Sequence, residues 1–126
     1  MGRRVILDST VLIDYERGLL DRALLDDDEL AIAAITVAEY RTGIELADTP
    51  ERAATRSRAL AAIMDALEVL EYTVVTAVHH ARLIAHVRRT GTVRGAHDLI
   101  IAAHAAQTGR TLLSNDAAAR YFSSRL

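Results

Sequence analysis

A chain of 126 residues with 51% apolar composition is long enough to bury a substantial core and reads as one domain, residues 1–126. It has no cysteine and no lysine, all 15 basic residues being arginine. That excludes disulfides, thiolate-bound zinc, P-loop phosphate binding and Schiff-base catalysis. The net charge of −2 gives no general attraction to nucleic acid, so a polyanion must be held by a local patch or by metal.

Val5 to Leu7 is a short continuous apolar run, the pattern of a strand covered on both faces, and it leads directly into Asp8. With no run near 18 apolar residues, and a start that leads into a short strand followed at once by Asp8, neither a membrane span nor a signal peptide is expected, and the cytoplasm is the default location. Thr10 to Tyr15 reads as a short helix, and Leu19, Leu20, Ala23 and Leu24 as a second. The acidic run Asp26, Asp27, Asp28 and Glu29 reads as a solvated turn before the next strand, Ala31 to Ile35.

A helix is expected over Thr36 to Ala47. The only proline, Pro50, opens the next one after Asp48-Thr49. Along that helix Leu60, Ile63, Met64 and Leu67 keep the i, i+3, i+4, i+7 spacing of a buried face. Leu70 to Val75 carries a β-branched run and reads as a third strand, followed by a helix from Thr76 to Arg89. Thr90 to Gly95 is a glycine-bearing loop, and beyond it Leu99 to Ala106 is apolar nearly all round, as in a central buried helix that Asp98 begins. Leu112 and Leu113 form a fourth strand and Ala117 to Phe122 a final helical turn. This alternation predicts an α/β fold, because parallel strands require crossover connections.

Three acids follow strands: Asp8, Glu39 shortly after Ala31 to Ile35, and Asp116 after Leu112-Leu113. If the strands are parallel, these acids share the carboxyl edge of one sheet, where open α/β proteins place their sites. Asp98 has no clear strand before it and depends on the Thr90 to Gly95 loop to reach that edge. Each acid also has a local explanation. Thr36-Val37-Ala38-Glu39 fits a capping box, and Asp8, Asp98 and Asp116 lie where a carboxylate favours a helix N-terminus.

Four segments together resemble the motifs of PIN-domain ribonucleases. They are Ile6-Leu7-Asp8-Ser9-Thr10-Val11-Leu12-Ile13; Thr36-Val37-Ala38-Glu39 with Gly43 four residues on; His97-Asp98-Leu99-Ile100-Ile101-Ala102-Ala103; and Gly109-Arg110-Thr111-Leu112-Leu113-Ser114-Asn115-Asp116. Size and motif order resemble specifically the VapC toxins of bacterial toxin–antitoxin pairs. The resemblance implies a PIN-like three-layer fold, a parallel sheet of four or five short strands flanked by helices. It implies that Asp8, Glu39, Asp98 and Asp116 form the catalytic site, with Asp8, Asp98 and Asp116 as metal ligands. Thr10, Ser114 and Asn115 fall where the family has small polar residues that orient carboxylates or water, or serve as caps. RNA as substrate, a cognate antitoxin and a homodimer are implied likewise, with no membrane.

The chemistry suits the residues. Crowded carboxylates repel unless a cation neutralises them, and oxygen ligands without cysteine favour Mg²⁺ or Mn²⁺. Arg88, Arg89 and Arg94 precede Asp98 as candidate RNA phosphate contacts, or as a solvated helix end. His79 with His86, and His97 with His104, have helical spacing but read as packing or surface residues; His97, beside Asp98, is the exception. Tyr15, Tyr40, Tyr72, Tyr121 and Phe122 are too few to read as a base-stacking platform. Two alternatives stand beside the nuclease. One is a small-phosphoester hydrolase, whose usual second aspartate is replaced by Thr10 and whose lysine is missing; the other is an inactive binding module on the same fold.

Overall fold

Val5, Ile6 and Leu7 are all buried, so the N-terminal run lies between two layers, as its unbroken apolar character predicts. The computed structural model describes residues 2–19, 27–92 and 94–114. In chain order the elements are β1 (Arg4–Leu7), α1 (Ser9–Glu16), β2 (Glu29–Ala33), α2 (Ala34–Glu45), α3 (Pro50–Ala66), β3 (Glu68–Leu70), α4 (Val74–Thr90), α5 (Ala96–Thr108) and β4 (Thr111–Leu113). The expected helices around Leu20 and Leu24 and over Ala117 to Phe122 lie outside the described residues.

All strand pairs are parallel, in the order β3-β2-β1-β4. β1 pairs Ile6 with Ala31 on one side and with Leu112 on the other. Side chains alternate across the sheet. Val5 and Leu7 therefore meet Val11 and Leu12 of α1, Tyr40 and Ile44 of α2 and Leu60 and Ile63 of α3 on one face. Ile6 meets Ile101 and Ala105 of α5 and Leu112 on the other. Leu83 and Val87 of α4 pack against Leu99, Ala102 and Ala103 of α5, completing three layers.

Several expectations need correction. Val11 and Leu12 belong to the core, whereas Leu19 is exposed. Leu60 and Ile63 are buried but Met64 is exposed, so the buried face of α3 is narrower than its spacing implies. The third strand is Glu68–Leu70, not Leu70 to Val75, because Thr73 caps α4: its hydroxyl accepts from the Thr76 amide while the Thr76 hydroxyl accepts from the Thr73 amide. That local closure outcompetes the strand preference of Val74 and Val75. Asp28 is not merely solvated: it accepts from the Arg3 amide at 2.9 Å and its guanidinium at 3.0 Å, and these contacts hold its carboxyl below the usual carboxylate range.

At the opposite edge from Asp8, the buried Arg110 guanidinium reaches the carbonyls of Val5 and Glu29 at 3.5 Å each and Glu68 Oε2 at 3.0 Å, tying β1, β2 and β3 together. His104 lies within α5 at 1% exposure, edge-on to the Tyr72 ring, whose hydroxyl meets His80 Nδ1 at 2.8 Å. Burial, and secondarily the nearby His80, depress the His104 pKa below its ordinary 6.5. The unfolded chain thus takes up a proton more readily than the fold. The associated stability is intact above pH 6.5 and is lost as the pH falls below it. His104→Phe should flatten that part of the acid-side decline, measured by urea unfolding at pH 7.5 and 5.5; an unchanged difference between the two would refute the assignment.

Candidate active site at the carboxyl edge of the sheet

The strand order places β1 between β2, which follows it, and β4, which returns on its other side. The chain leaves β1 towards β2 while β4 flanks β1 on the other side, and the crevice outside the carboxyl ends of such strands is the usual ligand site of an open α/β sheet. Asp8 and Ser114 stand at those two ends. The Ser114 hydroxyl donates to Asp8 Oδ2, and the Asp8 amide donates to the Leu113 carbonyl at 3.2 Å. Residues more than a hundred positions apart are thereby brought together.

Asp8 is 5% exposed and also caps α1: Oδ1 accepts from the Thr10 amide at 3.0 Å, the Val11 amide at 3.3 Å and the Thr10 hydroxyl. The local reading of Asp8 is correct, then, but incomplete, since Oδ2 is oriented by Ser114 across the sheet. Thr10 and Ser114 both orient this carboxylate, as two of the three supporting polar residues. Asn115, the third, and Asp116 lie outside the described residues.

For Glu39 the capping-box reading fails. α2 begins at Ala34 with Ala33 as its cap position, so Glu39 lies well inside the helix and satisfies no terminal amide. One oxygen, Oε1, is buried with no hydrogen-bond partner among the described residues, and the other, Oε2, lies 3.4 Å from His97 Nδ1. Thr36 stands one turn before Glu39, and its fully buried hydroxyl likewise has no such partner. Two uncompensated oxygens on one helix face are costly unless something binds there. Sequence reasoning gave Thr36 only a capping role; the available signal was its i, i+3 spacing to Glu39.

Asp98 occupies the first turn of α5, after Gly95 at the cap position, where no side chain caps the helix. A Cβ on Gly95 would stand 3.0 Å from Asp98 Oδ2, so the missing side chain leaves that carboxylate its space. The His97–Glu39 contact joins the α5 terminus to α2, and a cleft lined by Ser9 and Glu39 joins α2 to α1. Asp8, Glu39 and Asp98 therefore belong to adjoining segments, although among the described residues no three acids or histidines are close enough to hold one ion. Of the arginines, Arg88 and Arg89 are exposed in the last turn of α4, and Arg94 is half-buried just before Gly95. Among the described residues His97 is the one histidine that meets a candidate acid; His104 is a packing residue.

The uncompensated Glu39 oxygen and the oxygen-only chemistry of Asp8, Glu39 and Asp98 suit a hard divalent cation, although the described residues by themselves do not assemble three ligands for one. No helix among the described residues is long and apolar enough to cross a membrane.

Comparisons with known proteins agree with this architecture. The chain is 35% identical over 112 residues to Ribonuclease VapC5 of Mycobacterium tuberculosis, covering 88% of this chain and 82% of that protein. It is 31% identical over 96 residues to the tRNA(fMet)-specific endonuclease VapC of Salmonella typhimurium, covering 76% and 70%. Among solved structures it is similar to the toxin–antitoxin assembly VapBC-5 of Mycobacterium tuberculosis, with a TM-score of 0.78 at 32% identity over 91% of this chain and 86% of that one. The family model of the PIN domain matches residues 5–123, and the chain belongs to that family.

Proposed function

We propose that this protein is a divalent-metal-dependent endoribonuclease and the toxin of a type II toxin–antitoxin pair. The observation that carries the reading is the carboxyl-edge arrangement at the β1–β4 crevice, with Asp8 oriented by Ser114 and Glu39 holding a buried oxygen that no donor among the described residues meets. Kinship to proteins named as VapC ribonucleases supports RNA as the substrate class.

Asp8, Asp98 and Asp116 would hold Mg²⁺ or Mn²⁺, with Glu39 bound directly or through water. Such an ion, when bound, activates water and stabilises charge on a phosphodiester under in-line displacement. The chain's own part is orientation. Thr10 and Ser114 fix the two Asp8 oxygens from opposite sides, and the α2 and α5 scaffolds set Glu39 and Asp98. His97 restrains Glu39 Oε2, while Arg88, Arg89 and Arg94 would contact RNA phosphates. Incubating the pure protein with structured RNA and Mn²⁺, with and without EDTA, tests the reading. Metal-dependent internal cleavage is expected, and none at saturating Mn²⁺ would overturn it.

The partners follow the same kinship, since the similar solved assembly is a VapBC pair. An antitoxin segment would lie along the helices leading to the acids, where an arginine from it would compete with the metal through charge-assisted contacts. Expression should arrest growth, and co-expression with the neighbouring open reading frame should restore it and co-purify a small protein. Light scattering should find a homodimer; a 13.7 kDa monomer throughout the micromolar range would exclude it.

A further inference from the structure

Gly43 lies inside α2, one turn beyond Glu39 and on the same face. Glycine there costs about 0.5–1 kcal/mol relative to alanine, and nothing among the described residues requires it. The positive-φ glycines are Gly18, Gly91 and Gly109, and a Cβ at Gly43 would find no atom of the described residues outside its own helix backbone within 4 Å. The remaining reason for a bare backbone is open space kept for a ligand.

That space is a cleft of about 340 Å³ that starts at Ser9 and Glu39 and passes Ile13, Tyr40 and Gly43 to Arg17 and Arg56. Its size suits a small ligand. Its far wall is already fixed: Glu16 accepts from the Tyr40 hydroxyl at 2.9 Å and lies 3.8 Å from Arg56 Nε, and Arg56 Nη1 donates to the Gly43 carbonyl at 2.8 Å. Arg17, exposed at the end of α1, has no ion pair among the described residues, so it is the cation left for an incoming anion. One turn of α2 spans roughly 6 Å between the acids and Gly43, about the reach of one nucleotide.

We propose that the cleft beside Gly43 holds the nucleotide next to the scissile phosphate of single-stranded RNA, with Arg17 on its outer phosphate. The proposal rests on the endoribonuclease reading and names a substrate subsite within it. A short cleft whose only markedly exposed apolar residue is Ile13, ending at Arg17 beside the already paired Arg56, suits a nucleotide better than an apolar peptide helix.

The test is anisotropy of a fluorescein-labelled, 2′-O-methylated single-stranded RNA of random sequence, binding the full-length protein. Gly43→Leu should weaken binding at least tenfold while melting at or above the wild-type midpoint, because a helix-favouring side chain then fills the cleft. Arg17→Ala, a surface change that spares the fold, should weaken binding several-fold and reduce the slope of log K against log salt by about 0.7. Unchanged binding by folded Gly43→Leu, or an unchanged salt slope for Arg17→Ala, overturns the proposal. So does loss of antitoxin binding in Gly43→Leu with RNA binding intact, which would make the cleft a protein-docking site. Failure of the wild type to cleave RNA is a separate result that bears on the endoribonuclease reading alone.

Discussion

Asp98→Asn should lower RNA cleavage by about a hundred- to a thousandfold or more, because an interaction that stabilises several kcal/mol of transition-state charge is removed. The same variant should fold and melt close to wild type. As a first-turn acid of α5, Asp98 contributes at most about 1 kcal/mol through the helix dipole, and loss of one member of a repelling carboxylate group offsets part of that. Asp8→Asn separates the two roles of that residue even more directly. Asparagine is as good a cap as aspartate, so the Thr10 and Val11 amides keep their acceptor. The Ser114 hydroxyl can accept from the new amide group in place of donating. Cleavage gels with Mn²⁺ alongside thermal melts give both readouts. A folded Asp98→Asn protein that turns over RNA at the wild-type rate would mean that this acid is a helix-terminus residue only.

How far the sequence predicts the molecule depends on whether the deciding interactions are local. β1 and α5 are legible because two-sided burial leaves an uninterrupted apolar run, and α3 because Thr49 and Pro50 mark its start. The start of α2 is not, since Ala33-Ala34-Ile35 continues the apolar run of β2 with no polar cap to mark the change. β3 is displaced because the Thr73–Thr76 capping box is a hydroxyl geometry that β-branched composition conceals. The strand order β3-β2-β1-β4 is set by long-range pairing and leaves no trace in local spacing, although it is what makes the Asp8 and Ser114 strand ends neighbours. Strand-end reasoning therefore places Asp8 at the carboxyl edge without showing what orients it. Asp98 is harder still. A helix, α4, and not a strand comes directly before it, and its position is set by the α4–α5 turn, where Gly91 adopts a positive φ and Gly95 leaves room for the carboxylate. Glu39 shows the converse error, since the pattern of a capping box matched a segment whose helix had already begun.

Mn²⁺ should raise the thermal midpoint of the wild-type protein. The proposed ligands are assembled only in the fold and are dispersed in the unfolded chain, so an ion that binds the native state alone stabilises it by roughly 2.7 kcal/mol at a hundredfold excess over Kd. For a domain of this size that corresponds to about 10 °C. Glu39 sharpens the test, because its Oε1 is buried without a donor among the described residues, and a buried acceptor left unmet costs about 1–3 kcal/mol. If metal or its bound water meets that oxygen, Glu39→Gln should lose much of the Mn²⁺-induced shift while its metal-free midpoint stays near or above that of the wild type. Asp98→Asn should lose the shift in the same way, and the shift should vanish for both proteins in EDTA. A wild-type midpoint that does not move at saturating Mn²⁺ would count against a metal site formed in the fold, and an equal shift in Glu39→Gln would remove that residue from it.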